Sequence, residues 1–212
     1  MAILRSIQVG LPDQYGNPSD PNNGVWTTAF FKTAIESRVH VGIEGLAGDG
    51  HADLKNHGGA DKAVLAYSAD HYPYWRRELS LDDLPFGAFG ENLSIEGMSE
   101  RDVCIGDRYR IGETILEVSQ PRQPCWKLGR RWNQKLLPKI VIQNGFCGWY
   151  LRILQPGTIE KGLTIDITER PYPQWTVQRA NDLLYGKAID PTAMSELFLL
   201  PPLSVAWKQS LG

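Results

Sequence analysis

Ile115-Leu116-Glu117-Val118-Ser119-Gln120-Pro121-Arg122-Gln123-Pro124-Cys125 is the most informative stretch of this chain. Residues 113–119 read as a strand that runs into a stiff loop. Pro121 and Pro124 lack a backbone donor and hold φ fixed, so strand pairing should stop there. The loop carries one thiol beside an arginine, with Trp126 and Lys127 behind it. Fixed positive charge favours the thiolate, the form that attacks electrophiles and binds soft metals. A free cysteine is often just a small buried residue. An apolar slot, however, has no use for Arg122 or for two flanking prolines.

Outward from this loop, glycine and proline cut residues 1–173 into short apolar segments. Ala2–Val9, 63–67, 107–111, 113–119, 149–154 and 163–168 read as strands. Many short strands between turn residues predict a barrel or sandwich rather than a parallel sheet. Residues 13–24 are mostly Asp, Gly, Asn, Pro and Ser and read as a surface loop. One helix is clear: Ser68 can cap it, Pro73 falls near its first turn, and Tyr72, Trp75 and Leu79 line one face. A second follows Pro124 and a third covers 136–143. After Pro171 and Pro173 the pattern changes to three short helices, over 176–185, 191–200 and 202–210. The expected organisation is a β-barrel-rich domain over 1–170 with peripheral helices, mixed α and β, and a small three-helix appendage over 171–212.

The 212 residues are enough to bury a core without staples. With 24 acids against 22 bases, nothing favours nucleic-acid binding or a membrane surface. Residues 1–10 lack the apolar core and cleavage site of a secretory signal, and no apolar run would span a bilayer. Cys104, Cys125 and Cys147 cannot all pair and form no C-x-x-C, which points to a reducing cytoplasm.

Two further clusters can carry chemistry. In Gly48-Asp49-Gly50-His51-Ala52-Asp53-Leu54-Lys55-Asn56-His57-Gly58-Gly59-Ala60-Asp61-Lys62, a tight His-Gly-Gly turn exposes backbone N–H groups, and Lys55, His57 and Lys62 can add positive charge. Such a loop can hold a phosphate or another oxyanion, or be no more than a polar turn before a strand. In Phe89-Gly90-Glu91-Asn92-Leu93, an acceptor and an amide stand side by side, as recognition of a heterocycle edge requires. Read alone, that segment is a turn that hydrogen-bonds its own backbone. The four histidines show no H-x-x-x-H spacing, so structural zinc is not expected. Neither G-x-S-x-G nor G-x-G-x-x-G occurs, which removes the usual hydrolase elbow and a resident dinucleotide. Cys125 with His57 would make a catalytic dyad only if the fold brings them together.

The ordered set His57-Gly58-Gly59, Phe89-Gly90-Glu91-Asn92-Leu93, Gln120-Pro121-Arg122-x-Pro124-Cys125 and Gly148-Trp149 resembles the MOSC domain (molybdenum cofactor sulfurase C-terminal domain). The similarity is to its YiiM-type bacterial branch and covers nearly the whole chain. It implies a β-barrel-rich fold that binds the molybdenum cofactor, molybdopterin, with Cys125 as the catalytic thiolate on the metal. Lys55, His57, Gly58, Lys62 and Arg122 then face the anionic part of the cofactor, Glu91 and Asn92 read its pterin, and Thr28 and Lys32 add contacts. A preparation lacking the cofactor should hold phosphate or another anion there.

The implied activity is reduction of N-hydroxylated compounds: hydroxylaminopurine-type base analogues, hydroxylamines and amidoximes. Electrons would come from a separate flavoprotein or iron–sulfur reductase. Cys104 and Cys147 match no metal position, and Cys147 reads as core. Three alternatives use the same thiol: a sulfur carrier, a molybdopterin hand-over protein, and a thiol redox sensor needing a resolving cysteine nearby.

Overall fold

The computed structural model describes residues 1–19, 24–53 and 57–211. Its strands, in chain order, are β1 (Ala2–Val9), β2 (Asp13–Tyr15), β3 (Trp26–Thr28), β4 (Thr33–Ile35), β5 (Val39–Gly42), β6 (Gly45–Leu46), β7 (Val64–Ser68), β8 (Leu93–Glu96), β9 (Arg108–Ile111), β10 (Thr114–Pro121), β11 (Trp149–Gln155), β12 (Gly157–Ile159) and β13 (Thr164–Glu169). Among the described residues, β13, β9, β10, β11, β7, β8 and β1 lie side by side. β1 returns to β13, so these seven strands close a barrel, with β4 added along β1. Closure gives each of the seven barrel strands a neighbour on both sides. The seam is antiparallel, with Ala2 opposite Ile165 and Ile3 opposite Thr164. One neighbouring pair, β7 with β8, is parallel.

The six strands expected from the sequence all form, each within two residues of its expected ends. The strand-to-loop expectation at Pro121 also holds: the last ladder pair is Pro121 with Trp149. Residues 13–24 need correction. Asp13–Tyr15 pairs with Trp26–Thr28, so that segment opens with one arm of a two-stranded ribbon.

The core runs through the barrel, with Leu4, Ile7, Tyr67, Tyr109, Leu116 and Trp149 fully buried. The helices are α1 (Tyr72–Leu79), α2 (Trp126–Arg131), α3 (Leu137–Asn144), α4 (Val177–Leu184), α5 (Pro191–Leu199) and α6 (Val205–Lys208). α1 lays Trp75 against β7, where its indole N–H donates to the Tyr67 hydroxyl at 2.6 Å. Ser68 does not cap α1. A short 3-10 turn, Ala69–His71, intervenes, and the Ser68 hydroxyl has no partner among the described residues.

The C-terminal helices start on side-chain caps. Thr176 accepts from the Arg179 N–H, Asp190 from Ala193 and Ser204 from Trp207, which satisfies otherwise orphaned donors. α6 therefore begins at Val205, not at Pro202. Trp175, Trp207, Leu197 and Leu203 share one apolar cluster with the barrel core. Truncating a buried tryptophan costs about 3–5 kcal/mol, so this segment is anchored to the barrel by its own core residues. Backbone bonds continue the join: Ile105 N to Trp175 O at 2.9 Å, Val177 N to Val103 O at 2.8 Å, and Ser204 N to Ser119 O at 3.0 Å.

Candidate functional site

The Cys125 loop leaves the barrel where β10 ends. Past Pro121, the Arg122 N–H donates to Gly148 O at 3.0 Å and strand pairing stops. Gly148 has φ +79°, and a Cβ there would meet Ala66 O at 2.5 Å. Only glycine lets β7 and the start of β11 approach this closely. Cys125 follows directly before α2, half-buried, with a free thiol.

One pocket gathers most of the residues singled out by sequence. Thr28, Lys32, His57, Gly58, Lys62, Asn92, Arg122 and Cys125 all line it, around about 610 Å³ of empty space that includes its open mouth. Lys55 lies outside the described residues. Glu91 is not on the wall. Its carboxylate is fully buried and accepts from Gly87 N at 2.7 Å, Phe89 N at 3.1 Å, Ser94 Oγ at 3.0 Å and the Tyr72 hydroxyl. The cofactor role expected of Glu91 is therefore corrected: the turn's own backbone, Tyr72 and Ser94 occupy it.

The walls differ in how their charge is balanced. On one side the Lys32 ammonium pairs with Asp49, both buried. Asp49 also accepts from Gly10 N at 2.8 Å and from Asn92 Nδ2 at 2.8 Å. Asn92 further receives Leu65 N at 3.0 Å and donates to Gln8 O at 3.2 Å, so little of its amide is left for a ligand. Burial lowers the Lys32 pKa, and Asp49 opposes the shift.

On the other side two cations have no ion-pair partner among the described residues. Arg122 is 3 % exposed. Its Nη2 donates to Phe89 O at 3.2 Å, while Nη1 has no partner among the described residues. Lys127, the second residue of α2, is 9 % exposed and has no carboxylate within ion-pair distance among the described residues. Buried cations without counter-charge are costly, and both line this pocket.

His57 registers that imbalance. Burial first, then Lys127 and Arg122, push its pKa down to about 4. It is neutral at neutral pH and adds no charge of its own, contrary to the expectation. Lys62 and His51 are also shifted down by burial. Gly58, at φ +117°, packs under the His51 ring, where a Cβ would come within 2.9 Å of it. Tyr150 completes the wall. Burial raises its phenol to about 12, so it keeps its proton and can donate.

Sequence reasoning missed His51, Lys127 and Tyr150. Lys127 had a signal, since it stands two residues past Cys125 in a helical turn whose other neighbours are apolar. The remaining thiols are buried: Cys104 is raised to about 11 and Cys147 is raised further, both by desolvation. No three His, Cys, Asp or Glu residues converge as metal ligands among the described residues.

Residues 53–166 match the MOSC domain, and 175–212 match the YiiM-like 3-alpha helix domain. The chain belongs to the MOSC family. Among MOSC relatives, the uncharacterized protein YflK of Bacillus subtilis is 42 % identical over 183 residues, covering 86 % of this chain and 82 % of YflK. A fungal protein of Gibberella moniliformis named "Reductase" is 40 % identical over 181 residues, which are 84 % of this chain but 32 % of that protein. The crystal structure of YiiM from Geobacillus stearothermophilus superposes with a TM-score of 0.82 at 33 % identity. That match covers 100 % of this chain and 97 % of the YiiM chain. The family model covers the pocket residues from Asp53 to Tyr150, so Arg122, Cys125 and Lys127 lie inside the MOSC segment, while Thr28, Lys32 and His51 precede it. No helix of the described residues is long and apolar enough to cross a membrane.

Proposed function

We propose that this chain binds the molybdenum cofactor and reduces N-hydroxylated compounds such as hydroxylaminopurines, hydroxylamines and amidoximes. The observation that carries this reading is the Arg122 guanidinium, buried with Nη1 unpartnered in the same pocket as the free Cys125 thiol. A buried donor without an acceptor fits an anionic ligand, and the pterin cofactor ends in phosphate. MOSC membership and the name of the fungal relative support the same reading.

In this reading the cofactor supplies a metal that cycles through two electrons, and the protein positions it and shapes access. Cys125 provides the thiolate ligand. Arg122 and Lys127 hold the phosphate, Arg122 through its free nitrogen. Lys62 and the Gly58 turn close on the same anion, and Thr28, Lys32 and Asn92 form the opposite wall. Neutral His57 offers one N–H and gains a proton when a dianion arrives. Tyr150 keeps its proton and can donate it beside Cys125.

The overall conversion is R–NHOH plus two electrons and two protons to R–NH2 and water. The N–O bond breaks and the oxygen leaves as water. The electrons come from a separate flavoprotein or iron–sulfur reductase, in a reducing cytoplasm that keeps Cys125 free.

The test is molybdenum and pterin content of freshly purified protein, wild type beside Cys125→Ala, with N-hydroxy reduction driven by an artificial donor. Wild type should hold near-stoichiometric metal. Cys125→Ala should lose metal and at least about 100-fold of activity, since even supporting residues around a metal are worth 10–100-fold. Full activity in Cys125→Ala defeats the reading. Cofactor bound without any reduction moves the role to sulfur carriage or molybdopterin hand-over.

A further inference from the structure

Residues 118–159 carry seven bases and no acid, in a chain whose 24 acids outnumber its 22 bases. Arg152 pairs with Asp61 and Glu117. The other six, Arg122, Lys127, Arg130, Arg131, Lys135 and Lys139, have no carboxylate within ion-pair distance among the described residues. The run starts in the Cys125 loop and continues through α2 into α3.

Arg122 and Lys127 line the pocket. Arg130 donates to Gly24 O at 2.8 Å and lies 5.3 Å from the rings of Trp26 and Trp126. Arg131 donates to Phe30 O at 2.9 Å and to Gly87 O at 2.7 Å. Carbonyls and rings hold these guanidinium groups in place without neutralising them. Lys135 and Lys139 are exposed. The turn that carries Lys135 folds back onto α2: Gln134 N donates to Gly129 O at 2.8 Å, and a Cβ on Gly129 would meet Lys135 Cα at 3.4 Å. The Lys135 backbone therefore packs beside α2 about one turn past Cys125. Among these cations, Trp126 is 56 % exposed and Leu136 67 %. Apolar side chains left in water inside a charged rim have the composition of a protein contact.

We infer that the face formed by α2 and the start of α3 is the docking surface for an acidic electron-carrier protein. The inference rests on the reductase reading, which requires electrons from outside the chain. Charge sets the sign of the partner: cations without carboxylates leave their compensation to whatever docks, and they steer an acidic protein toward this face. Position sets its task. α2 starts at the residue after Cys125 and spans six residues, about 9 Å, so a carrier seated on α2 and Lys135 brings its redox centre close to the thiol. Each visit oxidises the carrier by one electron. Two visits supply the pair that cleavage of the N–O bond consumes, and the two protons come from water. A nucleic acid shares the negative charge but binds largely through polar contacts to phosphate, which makes no use of Leu136.

The test compares two donors in holoenzyme, with hydroxylamine as acceptor. Reduced methyl viologen needs no docking surface. Reduced plant-type ferredoxin, a small acidic iron–sulfur protein, does. In wild type, kcat/KM for ferredoxin should fall at least about tenfold between about 20 mM and about 300 mM salt. In the double variant Lys135→Glu, Lys139→Glu it should fall at least about tenfold at low salt and lose most of its salt dependence, while the viologen rate stays within about twofold of wild type. Lys135→Arg, Lys139→Arg should keep both rates. Leu136→Ser should weaken ferredoxin binding about threefold at either salt concentration. Equal ferredoxin kinetics in wild type and the charge-reversed protein, or no ferredoxin turnover while viologen works, overturns the inference and leaves the reductase reading intact. If viologen drives no reduction, the reductase reading falls, and calorimetric titration of ferredoxin into the same proteins decides the surface alone. Salt-sensitive binding that the double variant loses then upholds an acidic-protein contact, and absence of binding overturns it. A DNA duplex or phosphatidylserine vesicles bound through the same two lysines more tightly than ferredoxin also overturns it.

Discussion

Glu91 and Arg122 are buried charges of opposite sign fastened to the same residue. The Phe89 N–H donates to Glu91, and the Phe89 carbonyl accepts from Arg122. Around Glu91 every direction is filled: two backbone N–H groups and two hydroxyls converge on the carboxylate. Around Arg122 one guanidinium nitrogen has no partner among the described residues. Burial alone therefore does not separate a structural charge from a functional one. The count of satisfied bonds separates this pair: the fold saturates the first, and the second keeps an unbonded nitrogen in a residue that lines the pocket.

The largest effect should come from the saturated side. Glu91→Ala strands four donors in the interior and should cost about 3–5 kcal/mol, a drop of roughly 10 °C in melting temperature for a chain of this size, read by calorimetry. Arg122→Met tests the other side. Without ligand it should change stability by less than about 1 kcal/mol, since an apolar side chain replaces an incompletely bonded charge, yet sulfate affinity should fall at least about tenfold, near 1.4 kcal/mol. If Arg122→Met unfolds the protein as Glu91→Ala does, the contrast is broken. The finest test is pH. His57 has a folded pKa of about 4 against an unperturbed 6.5, so between those values the unfolded chain binds a proton that the folded chain refuses. Stability from this group is present above pH 6.5 and is lost as pH falls toward 4. His57→Gln should flatten that slope in urea titrations from pH 7 to pH 4, and sulfate should flatten it in wild type by making the proton welcome. An unchanged slope in His57→Gln would remove His57 from the charged wall.

The same contrast explains what could be read in the sequence. Long strands such as Ala2–Val9 and Trp149–Gln155 announce themselves through composition and alternation, whereas the four-residue strands Val39–Gly42 and Leu93–Glu96 did not. The short strands Thr33–Ile35 and Gly157–Ile159 are too brief to show a period, and they pair with segments far away in the chain. Cys125 and Arg122 were legible because prolines mark their loop chemically. Asn92 and Glu91 looked alike as adjacent polar residues, and only the fold shows that one borders the pocket while the other is sealed behind it. The Lys127 environment was equally hidden, since the absence of a counter-charge is a property of the packed state.

The seam between β1 and β13 sets a clock on all of this. Ala2 cannot meet Ile165 until about 160 further residues have been made, which at ribosomal speeds of 5–20 residues per second is about 10–30 s. Until then the end of the first strand that meets β13 has no partner on that side, although its other neighbours, β4 and β8, are made earlier. Cys125 and the cations around it are synthesised well before the barrel that holds them can close, so the pocket is complete only once β13 has been made.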